Sequence, residues 1–381
     1  LSSQALTAAA TLALTGAQIQ PVGEYVDLNP GATLTIAPTI TGVESVYMDV
    51  VLDANNIGTA TTRETVDFSA SSGISNLYLD TSVGATTSVL ILNEVDAAAI
   101  HLTDSVAGGI AGLTVVGAGQ ASLTVKGHAN AGATTITVTE TDAVTLTSYV
   151  DNATAAVVDT VFGAVTVDEA EAVTVTGAGV ANTVGTVALT TGAISADALQ
   201  TLTLSAGTNM TLTTGAIDTA GDELTTISLS ADDDGSLVIA SITATAGAIE
   251  ADTLTIDVGV GATMGANAAG TTNLAITADS IEAATITLDA ASTSAFDLLY
   301  AGATTITMTT GSTLDLETIG VDALVSSTTL TGRGTLNGAI DLLGTNTFNF
   351  SGFTSTGGAL AIDAGSDDDD KVIVSNDLQN T

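Results

Sequence analysis

Short runs in which threonine alternates with an aliphatic residue recur along most of the chain, and they restrict the fold more than any other feature. Examples are Thr33–Ile36 (TLTI), Thr135–Thr139 (TITVT), Val144–Thr147 (VTLT), Val173–Thr176 (VTVT) and Thr201–Ser205 (TLTLS). The series continues through Thr226–Ser230, Thr253–Asp257, Thr285–Asp289 and Thr305–Thr309. A period of two built on β-branched residues describes a strand buried on one face and wet on the other. Helical periodicity is almost absent. The only prolines are Pro21, Pro30 and Pro38, so no residue after position 40 lacks the backbone donor that a sheet ladder needs.

The choice among all-β architectures then turns on side-chain size. A sandwich core must fill about 10 Å between its sheets, and large aromatics usually do it. Here aromatics are 3% of the chain and Trp is absent, so the inward positions fall to Val, Leu, Ile and Ala. Small inward residues on short strands predict an all-β fold, an elongated parallel β-solenoid (β-helix) with irregular coils. A looser repeat supports it: an apolar residue, an acidic or Ser step, a small residue, then the alternating run. It appears at Val165–Thr176, Ile194–Ala206, Ile217–Ala231, Ile249–Val258 and Ile281–Ala290, at intervals of roughly 24 to 32 residues. Composition suggests an N-terminal β segment or cap over 1–66, the solenoid over 67–347, and a C-terminal cap over 348–381 that begins with FNFSGF (Phe348–Phe353).

Charge narrows the function. Forty-two acids against four Lys or Arg leave a net charge of −38, which excludes nucleic acid and anionic membranes as partners. The absence of Cys removes thiol nucleophiles, zinc ribbons and disulfide frameworks, and two His leave little for a His-based site. No apolar run reaches the ~18 residues of a membrane-spanning helix. The acids gather at turns: Asp168, Glu169 and Glu171; Asp218, Asp222 and Glu223; Asp232, Asp233 and Asp234; Glu250 and Asp252; Asp279 and Glu282; and Asp367, Asp368, Asp369 and Asp370. Several carboxylates on a Gly-containing turn suit calcium, which takes six to eight hard oxygen ligands, so Ca2+ is the expected cofactor. The alternative, solvated charges that keep the protein soluble, stays open.

Ala364–Ser375 (AGSDDDDKVIVS) loosely matches the glycine- and aspartate-rich nonapeptide of RTX proteins, with Gly365 at a turn and Val372 or Ile373 inward. Gly42–Met48 (GVESVYM), Ile249–Val258 and Ile281–Ala290 are similar to steps scattered through RTX-type bacterial surface-layer proteins, and the Cys-free, Lys-poor composition resembles theirs throughout. The regular GGxGxD arrays of that family are missing or decayed here. The resemblance implies a calcium-stabilised β-solenoid, exported by type I secretion, that tiles the bacterial cell surface. The expected partners are copies of the same chain and a cell-surface polysaccharide. A rod-like adhesin is the alternative, and a β-helical polysaccharide lyase a more distant one.

Enzymatic readings find little support. Arg63, Lys126, Arg333 and Lys371 are scattered, and neither Lys126 with His128 nor His101 with Asp104 is diagnostic. An ice-binding face would stack T-x-T pairs on successive coils. The pairs begin at Thr135, Thr145, Thr174, Thr201, Thr211, Thr253, Thr285, Thr305 and Thr329. Such uneven intervals predict that they do not share one face.

Overall fold

A computed structural model describes residues 13–15, 25–28, 34–52, 63–83, 89–103, 110–128, 134–149, 159–177, 187–219, 223–244, 249–270, 272–276, 280–299, 301–320, 328–341, 347–350, 361–363 and 371–374. These residues form strands and turns and no helix, so no helix is long and apolar enough to cross a membrane. The strands pair in parallel and wind into a β-solenoid, as the alternation predicts. Two compact units make up the chain: Leu1–Thr174 with Ala188–Ala196, and Val175–Val187 with Asp197–Thr381.

In the first unit, each coil contributes two strands whose inward residues stack in columns. One column runs Val46, Leu77, Ile100, Val125 and Leu146. The other runs Val66, Leu92, Val115 and Val138. From Leu77 and Val66 onward these side chains are almost fully buried. Burying such an aliphatic side chain is worth about 1.5–3 kcal/mol, so repetition of the column stabilises a stack whose single coil could not hold together.

The second unit shows why the sequence repeat is irregular. Leu204, Leu229, Ile256, Ile286 and Ile306 stand side by side in one inward column, and Leu330 pairs next in backbone register, so successive turns take 25, 27, 30, 20 and 24 residues. The register of the first strand in each coil carries no bulge from Thr201 to Met308. The extra residues are therefore taken up elsewhere in the coil, and the strand faces stay aligned.

A tight corner joins the two strands of each coil. Asp232 accepts from the Gly235 amide at 2.8 Å, Gly207 from Met210 at 3.1 Å, Gly259 from Ala262 at 3.1 Å, and Asp289 from Ser292 at 3.2 Å. The third residue of each corner has positive φ: Asn209, Asp234, Gly261, Ala291 and, in the next coil, Gly311. Asn, Asp and Gly reach that region at low cost, while Ala291 does so at about 1 kcal/mol. Corners also stack, since the Asp232, Gly259 and Asp289 amides each donate to a carbonyl of the coil before, at 2.8–2.9 Å.

Candidate functional site

Corner geometry explains much of the acid pattern. Asp and Asn favour the first position of a turn and tolerate positive φ, and Asp232, Asp234 and Asp289 occupy such places. Other carboxylates reach to a neighbouring coil and accept from it. Asp233 Oδ1 takes the Val260 amide at 3.0 Å, Asp159 Oδ1 the Ala188 amide at 3.1 Å, and Asp168 Oδ1 the Ser195 hydroxyl at 3.1 Å. Glu169 accepts from the amide of Glu140, itself a positive-φ residue. The Asp67 carboxyl is held below the usual carboxylate range by the Ser69 amide, partly opposed by burial, with Asn93 adding a further bond.

The remaining expected ligands are dispersed. Asp232, Asp234, Glu223, Glu250, Asp252 and Glu282 are exposed, and Asp218 is half-buried on a strand beside Thr243. Asp222, Asp279 and Asp367–Asp370 lie outside the described residues. Among the described residues, no group of three or more carboxylate or imidazole side chains converges on a point where it could hold a metal. At Asp257 the pKa is raised by burial, then by the charges of Asp289 and Asp232. These charges act on one another without forming a cage that could hold a metal.

The first unit carries a stack of rings that sequence reasoning missed. Tyr47, Tyr78 and His101 fall in register on three successive coils. Tyr47 and Tyr78 stack at 4.4 Å and 8°, and Tyr78 and His101 at 4.1 Å and 20°. His101 Nε2 also lies 3.2 Å from Asn76 Oδ1, and Lys126 follows His101 in the next coil. Spacings of 31 and 23 residues hid the alignment, because no fixed period links the three. Tyr47, at the head of the stack, remains 48% exposed. A recess beside Phe68, Ile74, Leu77 and Glu94 has about 10 Å3, room for roughly one water.

The outward face of the second unit corrects one expectation. Thr201, Thr226 and Thr253 align, as do Thr203, Ser228, Thr255, Thr285 and Thr305, and Ser205, Ser230, Asp257, Thr287 and Thr307. Within this unit the pairs at Thr201, Thr253, Thr285 and Thr305 share one strand face despite uneven intervals, because the register is set by the inward Leu and Ile of the same strands, whereas Thr135 and Thr145 stand on different strands, as the intervals predict. Thr211 lies on the other strand of its coil, beside Ser236.

No protein-family model, curated protein or solved structure matches the chain.

Proposed function

We propose that this chain is a structural protein of the bacterial cell surface, which assembles with its own copies into a layer or fibre outside the cell. The observation that carries the reading is the coil itself: small aliphatic columns inside, and corner carboxylates that brace one coil against another through backbone amides. Such a body is a repeated scaffold, with Asp233, Asp159, Asp168 and Glu169 among the acids that hold neighbouring coils together. Assembly then needs a counter-charge. Copies that each carry −38 repel one another strongly, and four Lys or Arg are too few to offset it.

Calcium supplies that charge in this reading. The dispersed carboxylates suit a bridging ion between copies, sharing ligands from both, better than a cage within one chain. Asp232, Asp257 and Asp289, where burial and then the charges of Asp289 and Asp232 raise the Asp257 pKa, and the run Asp367–Asp370 are the places to expect it. The protein does no chemistry of its own here. A cell-surface polysaccharide serves as anchor.

The test is electron microscopy with light scattering on purified protein, with calcium and with EGTA. Ordered sheets or fibres that dissolve on chelation are expected. Assembly and melting unchanged by EGTA would remove calcium from the reading. Isolated particles under every condition would remove self-assembly and favour the adhesin, for which the half-exposed Tyr47 ring is the feature that speaks.

A further inference from the structure

The outward threonines of the second unit form a two-dimensional array, and we propose that this face binds ice. Its central column is Thr203, Ser228, Thr255, Thr285 and Thr305, and the strand register carries it on to Thr329. The adjacent column is Ser205, Ser230, Asp257, Thr287 and Thr307, with Thr331 next in register. Neighbouring coils stand about 4.8 Å apart and alternate residues along a strand about 6.7 Å apart. Those two repeats approach the oxygen spacings on a prism face of ice.

Three observations carry the array beyond ordinary half-buried strands. First, it is regular: the strands run without a bulge from Thr201 to Met308, so the columns stay straight. Second, apart from Ser230, whose hydroxyl donates to Ser205 at 2.9 Å, the hydroxyls toward the Thr285 and Thr305 end are left to solvent. Thr255, Thr285 and Thr305 are exposed, and among the described residues none offers a hydrogen-bond partner to their hydroxyls or to those of Thr287 and Thr307. Third, it is nearly free of charge. In a chain with 42 acids, Asp257 is the sole ionisable residue in these two columns. A charged group orders water radially around itself, against a lattice. A threonine offers a hydroxyl to anchor one water and a methyl that keeps its neighbours in a cage. The array belongs to one molecule, so it does not depend on the assembly proposed above.

Nanolitre osmometry and ice recrystallisation assays on the full chain test this. The expected result is faceted ice crystals and a freezing-point gap that grows with protein concentration. Thr285→Tyr and Thr305→Tyr, which raise a ring out of the array's centre, should lower that activity about tenfold with an unchanged circular-dichroism spectrum. Asp257→Thr, which completes the second column, should raise it. A wild-type chain that neither shapes ice nor opens the gap overturns the proposal. So does activity that survives both tyrosines, or that falls in a folded Asp257→Thr variant.

Discussion

Removing one hydroxyl from the interior should make this protein more stable. Ser294 stands in the inward column Leu212, Leu237, Met264, Ser294 and Leu314, with 0% of its surface exposed. Its Oγ has no hydrogen-bond partner among the described residues. A buried, unsatisfied hydroxyl carries a desolvation penalty of about 1–3 kcal/mol. Ser294→Ala deletes that oxygen and keeps every other atom. Against the gain stand the oxygen's few dispersion contacts, at about 0.1–0.2 kcal/mol each and near 0.5 kcal/mol together. The net expectation is a stabilisation of about 1–2 kcal/mol. Urea unfolding followed by far-ultraviolet circular dichroism measures it, and for a unit of this size the melting point should rise by about 2–4 °C per kcal/mol. Thr214→Val is the companion. Thr214 is 2% exposed, its Oγ1 is likewise unpartnered, and valine preserves its shape. If Ser294→Ala loses about 1 kcal/mol or more, the hydroxyl is satisfied within the core and the reasoning fails.

The corners give two opposite predictions. A Cβ at Gly259 would lie 2.8 Å from the Asp233 nitrogen and 2.9 Å from the Asp232 carbonyl carbon, both backbone, so Gly259→Ala should cost about 1–3 kcal/mol in the same assay. Ala291, at φ +60°, is the one non-polar side chain among the described positive-φ residues, and Ala291→Gly should stabilise by up to about 1 kcal/mol. Asp257 predicts a pH dependence. Its folded pKa is raised above the ordinary 3.8 by burial, Asp289 and Asp232, so its contribution to stability is present at lower pH and is lost as pH rises through the raised value. Asp257→Asn should therefore melt higher than wild type at neutral pH, and the difference should vanish below about pH 3.8. Melting curves across that range decide it, and added salt should shrink the gap.

The two ring contacts and the Thr array were illegible for the same reason. Tyr47, Tyr78 and His101 are 31 and 23 residues apart, and the T-x-T runs are spaced just as unevenly. A linear spacing counts every loop residue, whereas register counts only strands. By contrast, the inward set was plain from the start. Leu204, Leu229, Ile256 and Ile286 each sit between two polar residues in an alternating run, and each is fully buried. The acids fall between these cases. Their gathering at turns could be read directly, but their service as acceptors for a neighbouring coil's amides, as at Asp233 and Val260, could not.

Sequence by itself determined that the chain is all-β, that its strands are wet on one face, and that its interior is narrow. Alternation and side-chain volume are local properties, and both are written residue by residue. Only the tertiary structure decided which coils lie side by side. That choice belongs to the inward aliphatic columns, which align to bury the most apolar surface whatever the length of the loops between them. The outward threonines, the stacked rings and the bracing carboxylates are carried into place by that alignment, and with them every surface on which a function can be argued.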